Sequence, residues 1–400
     1  MAEKTMKSRE RVLAALARQE PDRIPRDLGG SFTSTIHFEA HHRLKEYLGL
    51  AGGTEGVGAM MSQTALIDPR IIDKFGFDCL SLGSKPPSTW KLRVTIDDKG
   101  YKFYTDEWKV VRACPEGGFY YDIVDYPLRN PTLQDLERFP WPDPLDKGRF
   151  DGLEQAAKDL YENTDKCIVF TTGASFFAQI GYLMGWEEFY RSLVADQPLI
   201  RGFIERILDF HLRLMDKALD HVGKYIQVFY LSDDLTHQHG LFARKKILSD
   251  LFMPAYRKMF EALKSKADAK ILFHMCGASH LMFDDLTQIG VDAFNPVQVS
   301  SDGMEDTALL KGKYGNRLTF WGGGCDTQNV LPFGSPEDVR REVRRRVADL
   351  SPGGGFVFCP VHNIQRDVSP QNVVAMYDEL SRWDRYPVQV EEIKATLQPI

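Results

Sequence analysis

The sequence predicts an α/β fold, a (β/α)8 TIM barrel with a β-hairpin-rich insertion after the second strand. Eight short apolar segments occur along the 400 residues, near positions 24, 79, 169, 229, 273, 295, 320 and 358. Helical patterns lie between or after most of them, and this alternation is typical of a parallel α/β barrel. A doubly wound open sheet is the runner-up, but no Gly-x-Gly-x-x-Gly segment follows the first strand.

The amino-terminal part supplies the first two strands. Residues 7–18 place apolar side chains at helical spacing among Arg and Lys, which predicts an amphipathic helix. A short strand follows and closes at Gly29-Gly30. A second helix is predicted from His41 to Leu48, and the second strand is predicted over residues 77–83.

The segment from residue 88 to residue 150 has a different pattern. Its short β-type runs cover residues 90–96, 101–104, 108–111 and 119–124. Turn signals at 97–100 and 115–118 separate these runs, as in antiparallel hairpins. We interpret the segment as a β-meander inserted into a single barrel domain that spans residues 1–400. It could cap a substrate pocket or dock a partner, including a second copy of this chain in a homodimer.

The second half of the chain alternates strands and helices regularly. Strands are predicted over residues 167–173, 225–234, 270–277, 293–298, 318–324 and 356–362. Helices are predicted over residues 186–221, 245–266, 278–288, 302–313, 335–349 and 370–384. Together with the two amino-terminal strands, these segments complete the eight strands of the barrel.

Composition excludes several classes of function. Hydrophobic residues make up 43% and charged residues 26% of the chain, which are ordinary globular values. The net charge of −6 gives no support for a nucleic-acid surface. Six cysteines are too sparse for a disulfide scaffold. Neither a signal-peptide pattern nor a long apolar run is present, so we expect a cytoplasmic protein with reduced thiols and no membrane partner.

Metal-capable side chains occur at the predicted strand ends. His274 and Cys276 lie two residues apart in one strand and therefore point to the same face. An imidazole and a thiolate form a ligand pair that zinc prefers. Cys325 follows the seventh strand, and Cys359 with His362 lies at the eighth. His274, Cys276 and one later cysteine would make a three-ligand zinc site with an open fourth position, as in catalytic sites.

Two thiolates would weaken the metal as an activator of water, so such a site suits the binding of a substrate thiol as thiolate. Asp234, at the end of the fourth strand, could be a fourth ligand, a partner that orients His274, or a general base. Purely structural roles are the alternative for each of these residues. His274 could be a buried core histidine, the cysteines inert buried thiols, and Asp234 a capping aspartate.

These motifs resemble the uroporphyrinogen decarboxylase superfamily, and within it the zinc-dependent cobalamin methyltransferases of the methylcobamide:coenzyme M type. The residues that carry the resemblance are Arg9–Leu16, Pro21–Pro25, Ser232–Leu235, His274–Gly277, Gly353–Cys359 and Ser369–Asn372. The resemblance implies a (β/α)8 barrel and zinc bound by His274, Cys276 and Cys359. Cys325, a thiol at the neighbouring strand end, is the alternative third ligand. The resemblance also implies a corrinoid (cobalamin) that is carried by a partner protein.

Two features depart from true uroporphyrinogen decarboxylases. Those enzymes carry an Arg-Gln-Ala-Gly-Arg segment after the first strand, where this chain has Arg26-Asp27-Leu28-Gly29-Gly30. Their catalytic aspartate after the second strand is not evident either. A tetrapyrrole with many carboxylates needs several arginines that face it, and the sequence does not reveal such a set.

We therefore expect a zinc-dependent methyltransferase that moves a methyl group between a corrinoid protein and a thiol or another methyl-bearing small molecule. Two alternatives remain open at this point. One is a metal-free decarboxylase of a uroporphyrinogen-like acid, and the other is a non-catalytic module that binds a corrinoid or tetrapyrrole.

Overall fold

The computed structural model describes residues 5–397. Within them the chain forms fifteen strands: β1 (Val57–Ala59), β2 (Thr64–Ala65), β3 (Cys79–Gly83), β4 (Thr95–Ile96), β5 (Lys102–Thr105), β6 (Val111–Cys114), β7 (Asp122–Asp125), β8 (Cys167–Thr171), β9 (Val228–Ser232), β10 (Thr236–His237), β11 (Gly240–Leu241), β12 (Lys270–His274), β13 (Ala293–Asn295), β14 (Thr319–Trp321) and β15 (Phe356–Val357).

The same residues form sixteen α-helices: α1 (Ser8–Leu16), α2 (Phe38–Tyr47), α3 (Pro69–Phe75), α4 (Leu133–Arg138), α5 (Leu153–Asn163), α6 (Phe177–Met184), α7 (Trp186–Ala195), α8 (Gln197–Val222), α9 (Lys245–Leu251), α10 (Met253–Lys266), α11 (Phe283–Gln288), α12 (Thr307–Tyr314), α13 (Val330–Phe333), α14 (Pro336–Leu350), α15 (Pro370–Trp383) and α16 (Val390–Leu397). Short 3-10 turns cover Lys147–Phe150 and Ser279–Met282. No helix within residues 5–397 has both the length and the hydropathy of a membrane-spanning segment.

Seven strands form one curled parallel sheet in the order β3-β8-β9-β12-β13-β14-β15. All six neighbouring pairs are parallel. The strands other than β3 consist almost entirely of buried residues because helices cover the outside and side chains fill the inside. The register pairs His274 with Ser232 on one side and with Asn295 on the other, so all three lie at the carboxyl end of the sheet.

Residues 24–27 close this sheet into a barrel. Arg26 pairs in parallel with Phe358, and the Phe358 N–H donates to the carbonyl oxygen of Pro25 at 2.8 Å. On the other side, the Asp78 N–H donates to the carbonyl oxygen of Arg26 at 2.8 Å. This segment is the strand predicted near position 24. The predicted (β/α)8 barrel is therefore confirmed, with all eight strands in the expected chain order.

The amino ends of the strands are covered by helix α1. Val12 and Leu16 of this helix are buried in the apolar layer that fills the barrel interior. Asp78 is fully buried at this end, where its carboxylate pairs with Arg11 at 2.6 Å and with Arg23 at 2.9 Å. Asp78 is a structural group here, because it lies at the opposite end of the barrel from His274.

Strands β4–β7 form a separate four-stranded antiparallel sheet, the meander, between β3 and β8. The meander packs on the barrel helices through Trp108, whose ring lies 4.8 Å from that of Phe210 on α8. Val110 belongs to the main hydrophobic core. The Tyr121 N–H donates to the carbonyl oxygen of Met61 at 2.8 Å, which holds one edge of the meander at the barrel mouth.

Several helices differ from their predicted extent. The pattern over residues 186–221 is divided into α7 and α8 at Asp196, which caps α8 by accepting the Leu199 N–H at 3.2 Å. The pattern over residues 245–266 is divided in the same way at Phe252. Pro198 and Pro254 lie in the first turns of α8 and α10. Proline is favoured there because the N–H that it lacks would have no partner within the helix.

Candidate active site

The carboxyl end of β12 positions the His-x-Cys pair. The Nε2 atom of His274 and the Sγ atom of Cys276 lie 3.3 Å apart, so both side chains point to the same side of the chain, as predicted. The backbone around them is held by neighbouring strand ends, since the Met275 N–H donates to Asn295 at 2.8 Å and the Asp233 N–H donates to His274 at 3.0 Å. His274 Nε2 and Cys276 Sγ are therefore fixed at the mouth of the barrel.

The turn after Cys276 requires a glycine. Gly277 has φ of +93°, and a Cβ atom there would lie 2.5 Å from the carbonyl oxygen of His237. A side chain is excluded by both the left-handed backbone and this close approach. The Gly277 N–H donates to Gln298 Oε1 at 2.7 Å, and the Thr236 hydroxyl donates to the Cys276 carbonyl oxygen. These contacts hold the cysteine in place from β10 and from the segment that follows β13.

Asn295 sets the orientation of the His274 ring. Its Nδ2 atom donates to the Trp321 carbonyl oxygen at 2.8 Å, so its Oδ1 atom faces His274. This oxygen lies 2.5 Å from His274 Nδ1 and must accept a hydrogen bond from its N–H. The Nε2 atom then carries the lone pair that faces Cys276, which is the arrangement that a metal-binding histidine needs.

His362 supplies a third donor. One donor atom from each of His274, Cys276 and His362 lies within 4.8 Å of the other two. His362 follows β15 and is held by its two neighbours. The Val361 N–H donates to the Cys325 carbonyl oxygen at 3.0 Å, and the Asn363 side chain donates to Phe32 at 2.9 Å. The sequence placed His362 at the eighth strand end but did not select it as a ligand.

Cys359 and Cys325, the two thiols expected as third ligand, lie elsewhere. Cys359 is fully buried in the barrel interior, where its Sγ atom lies 3.8 Å from Asn295 Nδ2. Asn295 therefore stands between Cys359 and His274. Cys325 is fully buried in the outer core. Neither thiol belongs to the three-residue group at the mouth, and burial raises the pKa of both well above its usual value.

The donor set fits zinc. A tetrahedral site holds nitrogen and sulfur ligands roughly 3.6 Å apart, given the usual zinc–ligand distances, and His274 Nε2 lies 3.3 Å from Cys276 Sγ. Burial lowers the pKa of His274 to about 4 and that of His362 to about 3, so both imidazoles are neutral donors. Burial and the charge of Asp234 raise the pKa of Cys276, so this thiol needs a bound cation to ionise at neutral pH.

Asp234 lies beside the three donors. Its Oδ1 atom accepts the Cys276 N–H at 2.8 Å, and burial raises the pKa of its carboxyl group. The carboxylate is part of the cavity wall, but it is not a member of the three-residue donor group. The His274 ring bonds with Asn295 instead. At this position Asp234 can take up or release a proton in the cavity.

Asp233, next in sequence, has a structural position. Its carboxylate accepts the backbone N–H groups of Phe176, Phe177 and Ala178 at 2.6–2.8 Å and the Ser175 hydroxyl at 3.0 Å. The hydroxyl of Tyr256 also donates to it. Asp233 therefore anchors the start of α6 to the end of β9.

Asp233→Asn is expected to lower the free energy of unfolding by about 3 kcal/mol, because an amide cannot accept all of these buried donors. For a chain of this length, that change lowers the thermal midpoint by about 4 °C. Scanning calorimetry measures the shift. The matched control is Asp302→Asn, which removes a carboxylate at an exposed position near the mouth. Equal midpoints for the two variants would contradict the anchoring role.

A cavity of about 360 Å3 opens in front of the donors. Its walls come from strand ends, from the loop near Phe32 and from the meander through Tyr120. Tyr120 is held there by Gln365, whose side-chain amide donates to its hydroxyl at 2.6 Å. No lysine or arginine among residues 5–397 is part of the wall. The cavity combines aromatic surface with the metal-capable group and one carboxylate pair, Asp233 and Asp234.

A family model described as uroporphyrinogen decarboxylase (URO-D) matches residues 123–383 of this chain. The chain belongs to this family. The match includes the strands that carry Asp234, His274, Cys276 and His362, so the candidate site lies inside the shared domain. The resemblance inferred from the sequence motifs is thereby confirmed. The family is one of enzymes.

The relatives of the chain include two kinds of enzyme. The uroporphyrinogen decarboxylase of Alkalilimnicola ehrlichii is 24% identical over 288 residues, which cover 69% of this chain and 73% of that protein. The methylated-thiol–coenzyme M methyltransferase of Methanosarcina mazei is 23% identical over 220 residues, which cover 54% of this chain and only 56% of that protein.

A solved structure described as a methyltransferase from Methanosarcina mazei has the same fold. It superposes with a TM-score of 0.61 at 16% sequence identity, over 94% of this chain and 99% of the other. At this identity the likeness shows the barrel fold alone.

Proposed function

We propose that this protein is a zinc-dependent methyltransferase that moves a methyl group between a corrinoid carried by a partner protein and a thiol or another small molecule. The observation that carries the proposal is the meeting of His274, Cys276 and His362 at the cavity. Active sites of (β/α)8 barrels lie at this end of the strands. Zinc, when bound there, would lower the pKa of a coordinated substrate thiol and hold it as a thiolate.

The residues around the donors divide the remaining work. Asn295 keeps the His274 ring in the required orientation through its 2.5 Å contact with Nδ1. Asp234 is the group that accepts the proton from the incoming thiol, because its raised pKa makes it a better base than an exposed carboxylate. Phe32 and Tyr120 line the cavity and limit the access of water to the reacting groups.

His362 replaces Cys359 as third ligand in this proposal. The geometry supports His362, which shares the mouth with the other two donors, whereas Cys359 lies behind Asn295. The resulting set contains two neutral imidazoles and one thiolate, so its negative charge is half of that expected for one histidine and two cysteines.

Decarboxylation of a tetrapyrrole acid is the second candidate, because a decarboxylase relative matches 69% of the chain. The cavity argues against it. A substrate with many carboxylates requires several cationic partners, and the walls formed by residues 5–397 contain no lysine or arginine.

Metal analysis combined with a transfer assay tests the proposal. We expect about one zinc per chain in protein purified without chelator, a ratio that follows from one three-ligand site. Methylcobalamin serves as the probe methyl donor and a series of small thiols as acceptors, with loss of the methyl–cobalt absorption as the readout. A chelator should abolish transfer and added zinc should restore it. A folded protein that binds no zinc, or transfer that resists the chelator, would contradict the proposal.

A further inference from the structure

A second cavity, of about 460 Å3, lies between the meander and helices α6 and α7. It shares Met61, Tyr120 and Tyr182 with the active-site cavity, so the two cavities are neighbours separated by these side chains. Aromatic side chains, including Tyr126 and Trp186, form much of its wall. The mechanism proposed above uses none of this second space.

Arg112 of β6 is the cation in the wall of this cavity. It is 7% exposed, and its guanidinium lies over the Tyr182 ring, 4.8 Å from the ring centre. Its one side-chain hydrogen bond to any residue in the range 5–397 runs from Nε to Asp106 Oδ2 and is long, at 3.4 Å. A guanidinium has five N–H donors, and buried donors without acceptors are costly. The terminal amino groups therefore remain available for a ligand.

The charges around Arg112 favour a singly charged ligand. Asp106 offsets part of the positive charge from one side, through Nε only. Asp122, the carboxylate that residues 5–397 contribute to the wall itself, is exposed and screened by solvent. One partly balanced guanidinium with a free planar fork matches a carboxylate in two-point contact. A phosphate dianion would need further cations that this wall does not supply.

We propose that the second cavity binds a carboxylate-bearing small molecule, with the carboxylate on Arg112 and an apolar body against Tyr126 and Trp186. A molecule that extends past Tyr120 and Tyr182 would place its other end at the active-site cavity. The assignment of this molecule as the substrate of methyl transfer rests on the proposed function, whereas carboxylate binding at Arg112 does not.

Calorimetric titration with benzoate and its neutral isostere benzamide tests the binding site. We expect benzoate to bind the wild type about tenfold or more tightly than benzamide, the ratio that a charged hydrogen bond provides. The variant Arg112→Met with Asp106→Asn removes both charges of this ion pair, so the fold does not retain an unpaired carboxylate. The amide oxygen introduced by Asp106→Asn can still accept the N–H groups of Trp108 and Val110, which the Asp106 carboxylate accepts in the wild type. This double variant should lose the preference for benzoate.

Two controls make the outcome specific. Arg93→Met removes an exposed arginine that precedes the meander strands and should leave benzoate affinity unchanged. His274→Ala should also bind benzoate normally while it loses metal, which separates this proposal from the proposed function. Equal affinity for benzoate and benzamide, no benzoate binding to the wild type, or full benzoate affinity in the double variant would each overturn the proposal.

The link to methyl transfer is tested with two acceptor thiols, 3-mercaptopropionate and 2-mercaptoethanol. The wild type should prefer the carboxylate-bearing thiol through a lower KM, and Arg112→Lys should weaken this preference because a lysine lacks the planar fork. An unchanged preference would show that the molecule bound at Arg112 is not the substrate.

Discussion

His362→Ala is expected to lose most of its zinc and to lower methyl transfer by more than about 100-fold, since loss of a group that merely supports a ligand already costs 10–100-fold. Cys276→Ala should behave in the same way, because both side chains belong to the three-donor group. The barrel should remain folded, because two apolar layers of buried side chains hold it together. Mass spectrometry measures the zinc content, and the far-ultraviolet circular dichroism spectrum measures separately whether the barrel remains folded.

Cys359→Ala and Cys325→Ala are the matched controls. Each removes a fully buried thiol outside the donor group, so zinc content should stay near that of the wild type. Both variants leave a small cavity and should lose some stability. Loss of zinc in Cys359→Ala with retention in His362→Ala would restore the ligand set implied by family resemblance. The corresponding result for Cys325→Ala would move the site to the seventh strand.

Asp234→Asn is expected to reduce turnover by roughly 10- to 1000-fold with a modest effect on zinc content. The amide oxygen can still accept the Cys276 N–H, so the site geometry is retained while the base is lost. The fall should be in kcat, with little change in thermal midpoint. Steady-state kinetics with the methylcobalamin assay and calorimetry measure these quantities.

Asp233→Asn is the counterpart of this experiment, one residue away. It should lower the thermal midpoint, because Asp233 anchors α6, whereas Asp234→Asn should not. Unchanged turnover in Asp234→Asn would assign that residue a structural role. A large loss of zinc in the same variant would instead make Asp234 a metal ligand.

The barrel could be predicted from the sequence because its strands are continuous apolar runs between helical patterns. Even residues 24–27 were located, although they pair with the neighbouring strands through only a few hydrogen bonds. Helix α6 could not be predicted in the same way. Its residues Phe177–Met184 are apolar apart from Gln179 and Tyr182, so too few polar side chains mark an outer face, and a contact from distant Asp233 fixes its first turn.

The candidate site could be predicted where it depends on one strand. His274 and Cys276 follow strand alternation, so their common direction can be read from their spacing. The third residue of the donor group depends on the path of the chain after β15. This strand consists only of Phe356 and Val357. Beyond it Pro360 interrupts the alternation, so spacing cannot decide between Cys359 and His362. The role of Asn295 requires knowledge of the register between β12 and β13.

The closure of the barrel by residues 24–27 has a consequence for how the chain is made. Arg26 also pairs with Asp384, a contact that spans 358 positions of the sequence. A ribosome must therefore release the chain beyond the eighth strand before the sheet can close. Until then residues 24–27 and the last strand that has been made are the edges of an open parallel sheet, and such edges readily pair with other chains. Products that end after β14 keep residues 24–27 and β14 as unpaired edges and are prone to aggregate.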